Sequence, residues 1–211
     1  MEGGVSRYND AVLKELPVNQ LPGIATALRD AEGNLWFGTA NGVAIYNGRS
    51  LVAVPFFMSH YDPTIRLERV DDPTGNAVLS MYMDEDGNIY FGDLYGNLHL
   101  LAPGDFKGVL RRIRTHRWHP SFGPIWAIAE GRPGELWLGT QSGAKRLKLE
   151  EDGLHLLPSL SVPSIADLPV RSVLRDSKGR VWFGTDGAGV TVYQGGGSWT
   201  NFRAQGDSPL N

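Results

Sequence analysis

The chain has 211 residues, of which 41% are hydrophobic and 20% are charged, and its formal net charge is -3. This composition is ordinary for a globular protein, and it creates no positive field that would attract nucleic acid or an anionic membrane. The chain contains no cysteine, which excludes disulfides and thiolate metal sites. No apolar run approaches the ~20 residues of a membrane-spanning helix.

One motif recurs four times along the chain. It reads GNLWFGTANGVAIYNG from Gly33, GNIYFGDLYGNLHLL from Gly87, GELWLGTQSGAKRLK from Gly134 and GRVWFGTDGAGVTVYQG from Gly179. The glycine after the apolar trio recurs at spacings of 54, 47 and 45 residues. Self-similarity with such a period is typical of repeat architectures, and the unequal spacings place the insertions in loops.

Each unit predicts four short strands joined by turns. An apolar segment such as IATALRD precedes a turn such as DAEGN, and two further strands and a looser fourth segment follow. We expect Asp30, Asp84 and Asp176 to accept hydrogen bonds from backbone amides two residues on. The glycines that end these turns supply a positive φ. The alternative for DEDGN is a calcium loop, but the further ligands and the final glutamate of an EF-hand are missing.

The second strand of each unit is apolar on both faces. In LWFG, Leu35 and Phe37 point to one side of the sheet and Trp36 to the other, because successive residues of a strand alternate. In a sheet with one solvent-exposed face, apolar residues would alternate with polar ones along each strand. These strands lack that alternation, so each sheet must be covered on both sides. Four-stranded antiparallel sheets stacked in this way predict an all-β fold, the β-propeller. The tryptophan then packs between blades, with ligand stacking as the alternative.

The predicted domain is a single partial β-propeller over residues 1–211. It comprises the remainder of one blade (1–22, two strands) and four full blades at about 23–57, 77–118, 124–160 and 169–205, about 18 strands in all. GGVSRYND at residues 3–10 matches NGVAIYNG at 41–48, so the sequence starts just after an inner hairpin. We interpret the chain as a piece of a larger propeller or a truncated product. Its uncovered terminal faces predict self-association or aggregation.

The pattern D-x-x-G-x-[LIV]-W-[FL]-G-T-x-x-G-[VL]-x-x-Y resembles the two-component regulator propeller repeat. RDAEGNLWFGTANGVAIYNG and RDSKGRVWFGTDGAGVTVYQG fit closely; the other units differ at Tyr90, Asp93 and Gly131. The resemblance implies a non-enzymatic, periplasmic sensor region of a bacterial hybrid histidine kinase. That family typically pairs two seven-bladed propellers with a β-domain, a membrane helix and a kinase. The N-terminal sequence MEGGVSRYND has no apolar signal segment.

The ligand-binding candidates lie where the turn between the second and third strands meets the start of a first strand, since binding residues collect at the ends of rigid elements. They are Asn41, Asp93, Tyr95, Gln141 and Asp186 in the turns, and Trp126 and Arg171 at the start of first strands. Polar and aromatic groups of this kind suit a saccharide or another small ligand. The alternative is that they are turn residues facing water. The insert at 58–76 is a second candidate region, as a lid, a subunit contact or an indifferent loop.

An enzyme is the main alternative, because propellers of the streptogramin-lyase type use histidine and a divalent cation on one face. The histidines here, at positions 60, 99, 116, 119 and 155, show no metal spacing, and only His116 and His119 could reach that face. We therefore predict no metal, no cofactor and no catalytic residue. A structural scaffold is a third reading. The basic stretch RRIRTHRWHP at 111–120 predicts an exposed outer strand or, alternatively, contact with an acidic glycan or another subunit, without nucleic acid or membrane contact.

Overall fold

The computed structural model describes residues 23–54, 77–104, 122–150, 153–158 and 167–203, residues 21 and 165, and the backbone of three strands at 6–9, 12–15 and 114–116. These residues form strands and turns, with no α-helix among them. Within the described ranges there is accordingly no helix of the length and apolarity required to cross a membrane.

Antiparallel sheets follow one another along the described chain, as the sequence predicts. A two-stranded sheet pairs β1 (Ser6–Asn9) with β2 (Val12–Glu15). Four sheets of four strands follow, and each is one blade. Blade 1 comprises β3 (Ile24–Arg29), β4 (Leu35–Thr39), β5 (Gly42–Tyr46) and β6 (Leu51–Val54). Blade 2 comprises β7 (Val78–Met83), β8 (Ile89–Asp93), β9 (Leu98–Leu101) and β10 (Arg114–His116). Blade 3 comprises β11 (Ile125–Glu130), β12 (Glu135–Thr140), β13 (Gly143–Glu150) and β14 (Gly153–Leu156). Blade 4 comprises β15 (Val170–Arg175), β16 (Val181–Thr185), β17 (Val190–Gly195) and β18 (Ser198–Phe202).

The blades stack face to face in chain order. The first strands β3, β7, β11 and β15 lie side by side, and the Ser80 hydroxyl of blade 2 donates to the Ile125 carbonyl of blade 3 at 2.8 Å. We call the side of a blade that contacts the next blade its trailing face, and the opposite side its leading face. This arrangement is an open β-propeller.

The core lies between the blades, and the aromatic residue of each second strand is part of it. Trp36 is 1% exposed and lies 6.1 Å from Phe91 of the next blade. Trp137 is 3% exposed and contacts Phe183 and Tyr193 of blade 4, with ring centroids 5.1 and 5.6 Å away. The predicted role of these tryptophans in packing between blades is confirmed for Trp36 and Trp137.

The aspartate turns bond differently from the sequence-based expectation. One carboxylate oxygen of Asp30 accepts the amide of Asn34, four residues on, at 2.8 Å. Its other oxygen accepts the indole N–H of Trp36, also at 2.8 Å. Asp84 and Asp176 likewise accept the amide four residues on and a bond from the side chain six residues on. The side-chain donors are the Tyr90 hydroxyl for Asp84 and the Trp182 indole for Asp176. The predicted bond from two residues on is present at Asp176 (Lys178 amide, 2.9 Å). For Asp30 and Asp84 it was wrong, since their Oδ1 atoms accept the amide four residues on and no amide two residues on.

The Asp176 turn predicts an acid-sensitive link in blade 4. The hydrogen bond from the Trp182 indole, together with the bonds from Arg180, holds the pKa of Asp176 well below its ordinary value. A carboxyl group with a depressed folded pKa stabilises the fold above its unfolded pKa of about 4 and loses that contribution as the pH falls further. We expect the Trp182 indole N–H resonance to keep its position from pH 6 to about 4 and to shift only below it. A shift centred above pH 4 would contradict the assigned bond, and Asp176→Asn should remove the pH dependence.

In blades 1 to 3 the glycine after the apolar trio allows the next blade to approach closely, as predicted. A Cβ atom added to Gly38 would lie 2.8 Å from the Val78 carbonyl oxygen of blade 2. A Cβ on Gly139 would lie 2.7 Å from the Val170 carbonyl oxygen of blade 4. Both distances are shorter than real Cβ contacts. A larger residue at these positions would therefore push the next blade away, and glycine allows the observed spacing between blades.

Candidate functional site

One end of the blades carries the second-to-third-strand turns and the starts of the first strands, and we call it the loop face. In every blade the residue after the second strand donates its amide to a carbonyl just before the first strand. These bonds are Ala40 to Gly23 (3.2 Å), Leu94 to Ala77 (3.1 Å), Gln141 to Pro124 (3.3 Å) and Asp186 to Pro169 (2.8 Å). The backbone therefore places both groups of predicted site residues at the same end of the blades.

A β-bulge lies at the loop-face end of each first strand. The register of pairing shifts between its first and third residues, so the second residue is extra. The extra residues are Ala25, Leu79, Trp126 and Arg171 in blades 1 to 4. Bulges re-aim a side chain relative to the regular alternation of a strand and are common beside binding sites. The two candidates predicted on first strands, Trp126 and Arg171, occupy the same bulge position in adjacent blades.

Trp126, Arg171 and Asp186 form one cluster across blades 3 and 4. The Arg171 guanidinium lies over the Trp126 ring, 3.7 Å from its centroid. Its Nε and Nη2 groups donate to one Asp186 carboxylate oxygen at 3.3 and 3.0 Å. The side chains of Arg171 and Asp186 are 51% and 58% exposed. The structure thus brings together three of the seven residues that the sequence predicts for the site.

The cluster is accessible and nearly neutral. An exposed ion pair contributes only about 0–1 kcal/mol, so a ligand that offers its own hydrogen-bonding groups can replace Asp186 at little cost. The guanidinium also makes a cation–π contact with the indole, which stabilises its position over the ring. Nη1 of Arg171 makes no hydrogen bond to the described residues. The arrangement offers a planar platform with an aligned donor, which is suited to a polar ligand with an apolar side.

Tyr95 and Gln141 lie along the same face. The Tyr95 turn meets the start of blade 3, because a Cβ added to Gly96 would lie 2.5 Å from the Gly123 carbonyl oxygen. A Cβ added to Gly123 would in turn lie 2.8 Å from Cβ of Gln141. Tyr95 is 46% exposed, and Gln141 is exposed. Asn41 is exposed in the equivalent turn of blade 1.

Asp93 occupies a different position from the other candidates. Its side chain is buried (2% residue exposure), and its carboxylate accepts the amides of Tyr95 and Asn97, the Asn97 side-chain amide and a contact from the His99 ring at 3.1 Å. It therefore lies inside the turn and does not reach a ligand in this conformation. Sequence reasoning missed this buried cluster, although the replacement of threonine by Asp93 and the histidine six residues later were its signals.

Lys145 is a loop-face residue that sequence reasoning did not select. Its amine donates to the Ser142 carbonyl at 2.6 Å and lies 5.3 Å above the centre of the Phe122 ring. Partial burial lowers the pKa of this amine. The sequence signal for Lys145 is visible when the repeats are aligned with one another. Two residues after the turn glycine, blade 3 has Lys145 where blade 1 has Ala44. Lys145 adds a cationic group beside the Gln141 turn.

Several predicted features lie outside the described residues. They are the insert at 58–76, His60, His119 and most of the basic stretch at 111–120. The backbone at 114–116 forms β10, the outer strand of blade 2, in the position predicted for that stretch. In the part of the chain that the structure describes, no three histidine or acidic side chains gather in a way that could hold a metal ion.

The stacked antiparallel sheets and the loop face define the class of this protein as a β-propeller domain. Within that class, residues 164–187 match the family model described as "Two component regulator propeller". The resemblance inferred from the repeats is therefore confirmed, and the matched segment contains β15, β16 and Asp186 of the following turn. No curated protein sequence matches the chain significantly.

Solved structures with a similar fold include extracellular domains of two-component systems and an enzyme. The extracellular domain of the putative hybrid two component system BT3049 from B. thetaiotaomicron superposes with a TM-score of 0.64 at 22% identity, over 87% of this chain and 23% of that one. The corresponding domain of BT4673 gives 0.63 at 20% identity, over 90% and 24%. Virginiamycin B lyase from Staphylococcus aureus gives 0.63 at 16% identity, over 90% and 58%. The chain spans about a quarter of the length of the two-component structures. At these identities the similarity shows the fold alone.

Proposed function

We propose that this propeller is a non-enzymatic, ligand-sensing module of a two-component signalling receptor, located outside the cytoplasm. The observation that carries the proposal is the exposed cluster of Trp126, Arg171 and Asp186 on the loop face. The family match at residues 164–187 and the similarity to extracellular domains of two-component systems support the signalling context.

The ligand class that best fits the cluster is a saccharide. A sugar ring has an apolar side that packs on an aromatic platform, and its hydroxyl groups pair with guanidinium and carboxylate groups. Tyr95, Gln141 and Lys145 extend the polar and aromatic surface along the same face. Because the cluster bridges blades 3 and 4, a bound ligand would stabilise their relative position, and this differential contact is what a receptor needs to report occupancy.

The experiment is calorimetric titration of the whole chain with a panel of neutral and acidic oligosaccharides. We expect a member of the panel to bind and Arg171→Gln to weaken its affinity at least about tenfold, which corresponds to the loss of one charge-assisted hydrogen bond. Arg175→Gln is the matched control, since Arg175 lies in the same strand four residues away and pairs with Glu130 at the other end. Equal losses from the two variants would contradict the site, and the absence of binding across the panel would contradict the saccharide.

The second candidate is a propeller enzyme of the lyase type, for which the fold of virginiamycin B lyase is the supporting observation. Turnover of quinupristin, the compound present in a solved structure of a virginiamycin B lyase variant, that stops with a chelator would establish it and overturn the sensor proposal.

A further inference from the structure

Blade 3 carries a lysine at a position where blades 1 and 4 carry small uncharged residues. Lys145 lies opposite Leu138 in the sheet, and the register places Ala44 and Thr191 at the same position of blades 1 and 4. Ala44 and Thr191 are both fully buried. The side chain of Lys145 starts at this position and brings its amine to the loop face, where the amine donates to the Ser142 carbonyl at 2.6 Å.

The charge of this amine has no paired anion within the described part of the chain. Its polar and ring contacts there are the Ser142 carbonyl and the face of the Phe122 ring, whose centre lies 5.3 Å away. The exposed carboxylate of Asp167 attracts the amine, but it lies beyond ion-pair distance. Partial burial outweighs this attraction and lowers the pKa of the amine. A partly desolvated cation without a paired anion is stabilised when a ligand supplies one.

Arg171, the other cation of this part of the loop face, already has an anionic partner. It pairs with Asp186 at 3.0 Å, so that pair carries no net charge. Lys145 therefore differs from Arg171 in its capacity to attract an anion. An ammonium group has three N–H donors, and the Ser142 carbonyl takes one of those of Lys145. The amine can thus bind an anionic oxygen without breaking an existing ion pair.

The turn of blade 3 connects Lys145 with the cluster of Trp126, Arg171 and Asp186. The Gln141 amide of this turn donates to the Pro124 carbonyl at 3.3 Å, two residues before Trp126. The next residue of the turn, Ser142, accepts the bond from Lys145. A ligand that stacks on Trp126 can therefore extend over this turn to the amine.

We propose that Lys145 binds an anionic oxygen group of the ligand, so that the saccharide recognised by this face is acidic. The inference rests on the proposed function, in which a sugar ring lies against Trp126 and Arg171. A carboxylate or a sulfate ester on a neighbouring sugar unit then pairs with Lys145. Both groups offer the same chemistry to an ammonium group, which binds them as a compact point charge.

The test is calorimetric titration of the whole chain with three probes, which are trigalacturonate, its fully methyl-esterified form and a galactose trisaccharide with one sulfate ester. We expect trigalacturonate or the sulfate ester to bind at least about tenfold more tightly than the methyl ester, as one charge-assisted hydrogen bond predicts. The tighter of the two anionic probes identifies the group. Its affinity should fall as salt is added, whereas that of the methyl ester should not.

Lys145→Met removes the charge and keeps the length and the apolar part of the side chain. We expect this variant to bind the anionic probe no more tightly than the methyl ester, and to bind the methyl ester as the unsubstituted chain does. Unchanged binding of the methyl ester also shows that the variant is folded. Lys148→Met is the matched control, because Lys148 is an exposed lysine of the same strand that pairs with Glu150. It should leave every affinity unchanged.

The outcomes separate this inference from the proposed function. Equal affinities for the anionic probes and the methyl ester, all weakened by Arg171→Gln, would overturn the role of Lys145 and leave the saccharide site in place. A preference for an anionic probe that Lys145→Met does not reduce would also overturn it, since the anionic group would then pair elsewhere. If neither these probes nor any member of the wider saccharide panel binds, both proposals are wrong.

Discussion

Trp137→Ala should lower the free energy of unfolding by about 3–5 kcal/mol, the usual cost of emptying a buried aromatic site. Trp182→Ala, at the same position of the next repeat, should cost only about 1–2 kcal/mol. The motif around both residues is nearly identical, but Trp137 packs against Phe183, Tyr193 and Trp199 of the following blade. Among the described residues, the ring and the cation that lie against Trp182, Phe202 and Arg180, belong to its own blade. The difference measures what a following blade contributes.

Urea unfolding followed by far-UV circular dichroism gives both values, with the two variants measured at the same low chain concentration. Equal losses for the two variants would show that the tryptophan acts within its own blade and would contradict packing between blades.

Gly139→Ala should also destabilise the protein strongly, by about 1–3 kcal/mol, the usual cost of overpacking. The added methyl group would lie 2.7 Å from the Val170 carbonyl oxygen, which belongs to the backbone of blade 4 and cannot rotate away. Gly184→Ala is the matched control, since within the described part of the chain the new methyl group has only atoms of the Ser172 side chain within 4 Å. A hydroxyl can turn aside, so we expect a loss of about 0.5 kcal/mol or less.

Thermal and urea unfolding of the two glycine variants provide the comparison. A smaller loss for Gly139→Ala than for Gly184→Ala would mean that the blades do not approach at this glycine.

Most of the fold follows from periodicity. The apolar trio with residues on both faces, as in Leu35, Trp36 and Phe37, requires a covered sheet. The four copies of the motif predict the four four-stranded sheets that the described residues form. What the pattern did not predict is the bond from the Trp36 indole to Asp30. That contact depends on how a side chain crosses a six-residue separation within a hairpin, which alternation alone does not define. The partner of each aspartate is visible only in three dimensions.

The sequence predicted that the candidate residues share one end of the blades, but it did not predict their contacts. Turn positions indicated the shared end, whereas the contact between Trp126 and Arg171 joins residues 45 positions apart and depends on bulges that sequence patterns do not reveal. Asp93 looked like a variable polar turn residue. It replaces a threonine whose hydroxyl bonds inward, as Thr39 does to the Gly42 carbonyl at 3.1 Å, so its carboxylate also turns inward.

The measurement that tests the central claim most directly is a titration of the isotope-labelled chain with the saccharide panel, read from the tryptophan indole N–H resonances. A ligand on the loop face should shift the Trp126 resonance and leave those of Trp36 and Trp137 in place, because both are buried between blades. Saturable movement of the Trp126 resonance, lost in Arg171→Gln, is the predicted result. A Trp126 resonance that stays in place while other resonances report binding would contradict a saccharide-sensing loop face. So would the absence of any resonance shift with every saccharide of the panel.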